Sequence, residues 1–195
     1  MHVQLGHYAC LKRIAAPFDF CLFAGSKNID GDLRDVLTLL NLNSLFVFPK
    51  HVAFKGENGK YLGVITKDSK PCLQFSYDKP SDPKVEHEIL TTPKGIVCIK
   101  SVYNKKFWRL GHGDWIVVDA EDPRGSNNAR AMFRHNSLDI DAISLLNMAK
   151  TWYCKMYTLN DYVSCLNTAT PNVDRYAKLE VIDLDREKDI NRSCR

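Results

Sequence analysis

The sequence predicts an all-β fold: a β-trefoil of three four-stranded units, preceded by an orphan unit and a short helical linker. Three observations carry this expectation. A pattern with a period of about 45 residues recurs three times. Each recurrence holds four short apolar runs separated by turn residues. The number of repeats then separates the two architectures with this unit size: a propeller typically closes with at least four blades, whereas a trefoil closes with three. The Trp-Asp dipeptide of the commonest propeller blades is also absent.

Taken in chain order, residues 1–40 read as the orphan unit. Val3 and Leu5 alternate like an opening strand, Phe20-Cys21-Leu22-Phe23 forms an apolar strand, and Asp35 to Leu40 forms a closer. Residues 41–50 are the linker, helical at Asn41 to Leu45 and halted before Pro49, since a proline disfavours helix at the residue preceding it. Residues 51–185 hold the three full units. Val52, Phe54 and Lys55 open the first, Val97, Ile99 and Lys100 the second, and Ile143 and Leu145 the third. An aromatic-containing pair follows each opening: Tyr61-Leu62, Phe107-Trp108 and Trp152-Tyr153. Trp108 and Trp152 therefore stand at equivalent points and are assigned to the core. The third strands are Cys72 to Phe75, Trp115 to Val118 and Tyr162 to Leu166. The closers are Ile89-Leu90, Ala131-Met132-Phe133 and Leu179 to Ile182. Asn58-Gly59 marks a tight hairpin between Phe54 and Tyr61. Residues 186–195, with alternating charge and few apolar side chains, form a disordered tail.

A chain of 195 residues with 45% hydrophobic content can bury one core of about 130 residues plus extensions. The net charge of +4 is spread, with only Lys12-Arg13 and Lys105-Lys106 adjacent, so no nucleic-acid footprint is expected. No apolar stretch reaches the roughly 18 residues of a membrane span. Met1 to His7 shows no basic-then-apolar leader, so a soluble, cytoplasmic protein that engages no membrane is the expectation. The seven cysteines are odd in number and never spaced Cys-x-x-Cys, which favours reduced, buried thiols over metal or disulfide chemistry.

Long strings of the chain are familiar. The runs FPKHVAFKGENGKYLGVITKDSKPCLQFSYDKPSDPKVEHEIL, CIKSVYNKKFWRL, DWIVVDAEDPR and ISLLNMAKTWYCKMYTL closely resemble the carboxy-terminal domain of the amaranthin-like agglutinin family. The resemblance covers nearly all of residues 2 to 185. It implies two β-trefoil domains joined by a short helix, head-to-tail pairing, and binding of the galactose-β1,3-N-acetylgalactosamine disaccharide. It makes residues 2–40 the last third of an upstream trefoil, with HVQLGHY as its opening strand. In the family the sugar lies where the first domain of one subunit meets the second domain of its partner. The expected partners are therefore galactoside-containing glycans, and a homodimer or an intact family member. No cofactor, metal or catalytic group is implied.

Galactosides present an apolar face that packs on aromatic rings, and hydroxyls that need donors and acceptors. The second unit offers that mixture in Asn104 to Arg109 and in His112-Gly113-Asp114-Trp115. The resemblance adds that the matching first-domain loop of the family reads Asn-His-Tyr-Trp and touches sugar. Here Trp115 keeps the tryptophan, Asp114 replaces the tyrosine, and the loop is one residue shorter. The candidate sugar-binding residues are Asn104, Lys105, His112, Asp114 and Trp115. Structural alternatives stand beside them: Trp115 can be barrel rim, Asp114 can serve turn amides, and His112 can be an idle loop residue.

Other motifs dissolve. Glu86-His87-Glu88 resembles a metal cluster, but neighbours in a strand point to opposite faces. Asp139/Asp141 and Asp183/Asp185 lie at unit ends and read as solvated, not as a hydrolytic pair. Gly111-His112-Gly113 lacks the strand-to-helix setting of a phosphate loop, and Asn191-Arg192-Ser193 carries little weight as a glycosylation site. No Gln-x-Trp of ricin-type units occurs. A polyanion reading would use Lys94, Lys100, Lys105, Lys106 and Arg109. The remaining alternative is a protein-interaction or stress-response module with little sugar binding.

Overall fold

The computed structural model describes residues 8–13, 20–26, 46–92, 95–124 and 128–186, the first two segments by their backbone. The chain divides into two compact units, Met1–Asn41 and Leu42–Arg195. In the first, β1 (Tyr8–Arg13) and β2 (Phe20–Ser26) pair antiparallel, with Cys10 opposite Phe23 and Leu11 opposite Leu22. The expected Phe20–Phe23 strand lies within β2. The expected strands at Val3–Leu5 and Asp35–Leu40, the helix at Asn41–Leu45 and the tail beyond Arg186 lie outside the described residues.

The second unit is all-β and built three times over. Its first third holds β3 (His51–Lys55), β4 (Tyr61–Lys67), β5 (Lys70–Tyr77) and β6 (His87–Thr91). The middle third holds β7 (Val97–Ser101), β8 (Phe107–Leu110), β9 (Ile116–Ala120) and β10 (Phe133–Ser137). The last holds β11 (Ala142–Asn147), β12 (Tyr153–Leu159), β13 (Tyr162–Thr170) and β14 (Leu179–Asp183). The outer strands of each third close a ring, β3-β6-β7-β10-β11-β14 and back to β3. The inner strands form hairpins β4–β5, β8–β9 and β12–β13. These hairpins touch one another through Cys72 opposite Val117, Gln74 opposite Cys165, and a bridge between Trp115 and Asn167. Ring closure gives each of the six outer strands a neighbour on both sides, which removes those strands' usual liability to pair elsewhere.

Alternation along the strands sends one apolar set inward. Val52, Phe54, Leu62, Leu73, Phe75, Ile99, Trp108, Phe133, Ile143, Leu145, Leu166 and Leu179 form one cluster drawn from all three thirds, with Phe46 and Phe48 packed against it. Each such side chain contributes about 1.5–3 kcal/mol by leaving water. Trp108 is fully buried at the centre, edge-on to His87 at 4.9 Å and beside Phe54 at 5.5 Å. Its indole N–H can only donate, so His87 accepts at Nδ1 (3.3 Å), and His87 Nε2 donates to the Leu62 carbonyl at 3.3 Å. Burial pushes His87 down to about 4, the bond to the Leu62 carbonyl opposing the shift. His87 is thus a neutral core residue, with Glu86 and Glu88 diverging to the less buried side. Cys72, Cys98, Cys154 and Cys165 are free and buried, and burial raises all four thiols, Cys165 to about 11.

Trp152 is not core. The residues bonded to the opening strands at equivalent points are Tyr61, Phe107 and Tyr153. In the same way the carbonyls of Lys60, Lys106 and Trp152 accept from Gly56, Ser101 and Asn147 N–H. Trp152 therefore stands where the other thirds carry lysines and is 37% exposed, while Cys154 fills the inward slot of Leu62 and Trp108. The closer of the middle third also begins later than expected, because Ala131 belongs to a single 3-10 turn at Ala129–Ala131.

Candidate functional site

The three hairpin tips collect polar and aromatic groups around the loop that joins β8 to β9. His112–Asp114 forms a single 3-10 turn there, closed by Gly111 N–H donating to the Trp115 carbonyl at 2.7 Å. Gly113 (φ 64°) and Asp114 (φ 65°) are both left-handed. The first suits glycine, and the second is a conformation that Asp tolerates better than most residues. Three hydrogen bonds from the third hairpin and its flank pin this turn. Asn167 Nδ2 donates to the Gly113 carbonyl (3.0 Å), the Thr168 hydroxyl to the Asp114 carbonyl (3.1 Å), and Lys150 Nζ to the Asp114 carboxylate (2.6 Å).

Lys150 is the hub. Its ammonium also donates to the Thr168 carbonyl at 2.9 Å and lies 4.3 Å from the centre of the Trp152 ring. The Asp114 side chain remains 48% exposed beside it. Trp115 stacks on Tyr162, ring centres 4.5 Å apart and 14° from parallel, and Tyr157 lies tilted at 6.1 Å on the same indole. The Tyr162 hydroxyl donates to Asp68 of the first hairpin at 2.9 Å, and that bond, with burial, pushes the phenol up to about 12. A neutral phenol is thereby held as a donor, and Trp115 is buttressed from behind. The result is a mostly covered Trp115–Tyr162 stack, edged by the more exposed Tyr157, next to an anchored carboxylate.

The family model for the agglutinin domain matches residues 46–183. This chain belongs to the agglutinin domain family. It is accordingly a lectin-like, carbohydrate-binding protein. No match among curated proteins is found. Among solved structures, the designed 3-fold symmetric protein ThreeFoil is similar to this agglutinin at 10% identity and a TM-score of 0.58, over 69% of this chain and 99% of ThreeFoil. The lysenin pore is similar at 14% identity and 0.54, over 70% of this chain and 46% of lysenin. The GlcNAcα1-4Gal releasing endo-β-galactosidase from Clostridium perfringens is similar at 12% and 0.55, over 68% of this chain and 32% of the enzyme. The last two matches span less than half of those proteins, and at such identities all three speak for the fold alone.

The agglutinin fold separates the five residues expected from sequence into two groups at opposite ends of β8. His112, Asp114 and Trp115 lie together at the hairpin tip, His112 exposed at its edge. Asn104 and Lys105 lie in the turn at the base. Both ends of the Asn104 amide are spent on backbone: Nδ2 donates to the Val118 carbonyl (2.8 Å), and Oδ1 accepts from Lys106 N–H (3.1 Å). Asn58 repeats the arrangement with Phe75 and Lys60, which marks it as turn architecture of the repeat. Lys105 is exposed at φ 63°. Of the cations a polyanion would use, Lys106 pairs with Glu121 and Arg109 with Asp119.

Lys150, Tyr157, Tyr162 and Thr168 complete the site and were not marked as site residues in sequence, and Trp152, which joins them, was assigned there to the core. Tyr162 carried a usable signal, an aromatic at the polar tip of a hairpin. Lys150 carried none, since its role depends on a partner 36 residues away. Among the described residues no cluster of His, Cys, Asp or Glu could hold a metal ion.

Proposed function

We propose that this agglutinin domain is a non-enzymatic lectin that binds galactose- or N-acetylgalactosamine-type glycans at the tip of its second hairpin. The observation that carries the reading is the Trp115–Tyr162 stack beside the half-exposed Asp114 carboxylate held by Lys150. The aromatic shelf accepts the apolar face of a pyranose, and Asp114, His112 and Tyr157 offer acceptors and donors to its hydroxyls. A lone carboxylate already engaged by a lysine suits recognition better than the paired acid and base of glycoside cleavage. We read the fold as a β-trefoil, supported by the six-strand ring, the three hairpins and the likeness to ThreeFoil. Residues 1–40 we read as one third of an upstream trefoil. Because the family resemblance puts a sugar between domains of two subunits, a second chain of this kind is the partner expected to extend the contact.

Calorimetric titration with the galactose-β1,3-N-acetylgalactosamine disaccharide tests the proposal. Saturable heat unchanged between low and high salt, and lost in Trp115→Ala, supports a neutral-sugar site. Disaccharide binding retained in full by Trp115→Ala, or no heat from wild type up to millimolar sugar, would reject it.

A further inference from the structure

The loop that joins β8 to β9 is gripped at both ends. Asn167, Thr168 and Lys150 hold it at Gly113 and Asp114. At its entry Arg130 donates from Nε and Nη2 to the Leu110 carbonyl (3.0 and 2.8 Å), and from Nη2 to the Gly111 carbonyl (3.2 Å). Arg109 Nη1 shares the Leu110 carbonyl at 3.3 Å, but its guanidinium is committed to Asp119, and Arg130 reaches one residue further. Bonds from a charged, planar donor to neutral carbonyls are strong and directional.

Arg130 is itself held. Asn128 accepts the Arg130 N–H at 3.2 Å, and the buried Asn147 donates to the Arg130 carbonyl at 3.0 Å. Asn147 Oδ1 also accepts from the Ala149 and Lys150 N–H groups, at 3.1 and 3.2 Å. One amide therefore ties the turn of Arg130 to the turn of Lys150, so both grips on the loop share a frame.

The turn belongs to the repeat, whereas the reach does not. Lys84, Arg130 and Tyr176 stand at matching places, each donating its N–H to the side chain two residues earlier, Asp82, Asn128 and Asp174. Lys84 Nζ lies 5.4 Å over the Tyr103 ring, and the Tyr176 hydroxyl accepts from Arg175. Of these three side chains, Arg130 is the one bonded to loop carbonyls of its own hairpin, and that hairpin presents Asp114 and Trp115. The indole follows the loop closely: a Cβ placed on Gly113 would meet Trp115 Cδ1 at 3.3 Å and Nε1 at 3.4 Å.

We propose that Arg130 is a positioning residue of the sugar site, which acts through the Leu110 and Gly111 carbonyls to set the loop that aims Asp114 and Trp115. The proposal rests on the lectin reading above. Binding groups need support that holds them to within about 0.5 Å, and Arg130 supplies it from outside the sugar's reach.

The test compares the full-length wild type with Arg130→Met, which keeps the stem without the donors, and Arg130→Lys, which returns one donor where Nη2 meets both carbonyls. The Trp115 indole N–H signal, identified by its loss in Trp115→Ala, is read by NMR without sugar, and the disaccharide is then titrated by calorimetry. In Arg130→Met the Trp115 signal should shift while that of Trp108 in the core stays, and the disaccharide should bind at least about tenfold more weakly. Arg130→Lys should recover most of both, and a denaturant midpoint near that of wild type in Arg130→Met excludes a general loss of fold. An unmoved Trp115 signal or undiminished affinity in Arg130→Met, or Arg130→Lys no better than Arg130→Met, overturns the positioning role and leaves the lectin reading standing. No sugar binding by wild type overturns that reading and the role in sugar recognition with it, while the indole signal separately decides whether Arg130 sets the loop.

Discussion

The two ends of the β8 strand carry nearly the same chemistry in sequence, and the structure uses them differently. At the base, Asn104 spends its amide on Val118 and Lys106 of its own third. At the tip, Asp114 and Trp115 are completed by Lys150, Thr168, Asn167 and Tyr162 from the last third, and through Tyr162 by Asp68 from the first. The difference teaches that polar and aromatic residues close in sequence make a turn when their partners are local. They make a site when the partners come from other repeats and leave a face open.

Acidification should remove that contrast, because it attacks the frame both ends share. In the unfolded chain His87 protonates near its ordinary value of 6.5, whereas in the core it waits until about 4. Its contribution is complete above pH 6.5 and is lost as pH falls toward 4, a loss of about 3 kcal/mol by linkage. Half-buried His135, also lowered by burial and set between Phe46 and Phe48, acts in the same direction. Denaturant midpoints measured from pH 7 to pH 4 check this, and His87→Gln should flatten the profile between those limits.

Substitutions should separate the ends. Trp115→Ala is expected to weaken disaccharide binding at least about a hundredfold, or about 2.7 kcal/mol, with the barrel still folded by circular dichroism. Asn104→Ala should do the reverse, costing about 1–2 kcal/mol of stability in urea by stranding the Val118 carbonyl and the Lys106 N–H, with affinity unchanged. Asp114→Asn should be mildest in stability, within about 1 kcal/mol for a half-exposed ion pair and a residue type that tolerates positive φ. Its affinity should fall about tenfold by titration.

The strands of the second unit were legible because alternation of apolar residues is written locally. Val52, Phe54, Ile99, Ile143 and Leu145 all point inward as their spacing requires. The register of the last third was not. An aromatic pair at Trp152-Tyr153 mimics Phe107-Trp108, while the true core slot holds Cys154, too small to announce itself. The tip residues His112, Asp114 and Trp115 could be marked from composition and the family resemblance. Lys150 and Tyr162 depend on how three hairpins meet, which no local pattern records. A truncation sharpens the same point: removing the remnant together with most of the linker, residues 1–48, also removes Phe46 and Phe48, which pack on the core. Stability should therefore fall more on that cut than on removing 1–41.

The most direct test is a calorimetric titration of the galactose-β1,3-N-acetylgalactosamine disaccharide into wild type, Trp115→Ala and Asn104→Ala. Saturable binding by wild type and Asn104→Ala, absent in Trp115→Ala, is the predicted result. Binding lost in Asn104→Ala but kept in Trp115→Ala, or no heat from wild type up to millimolar sugar, would contradict the account.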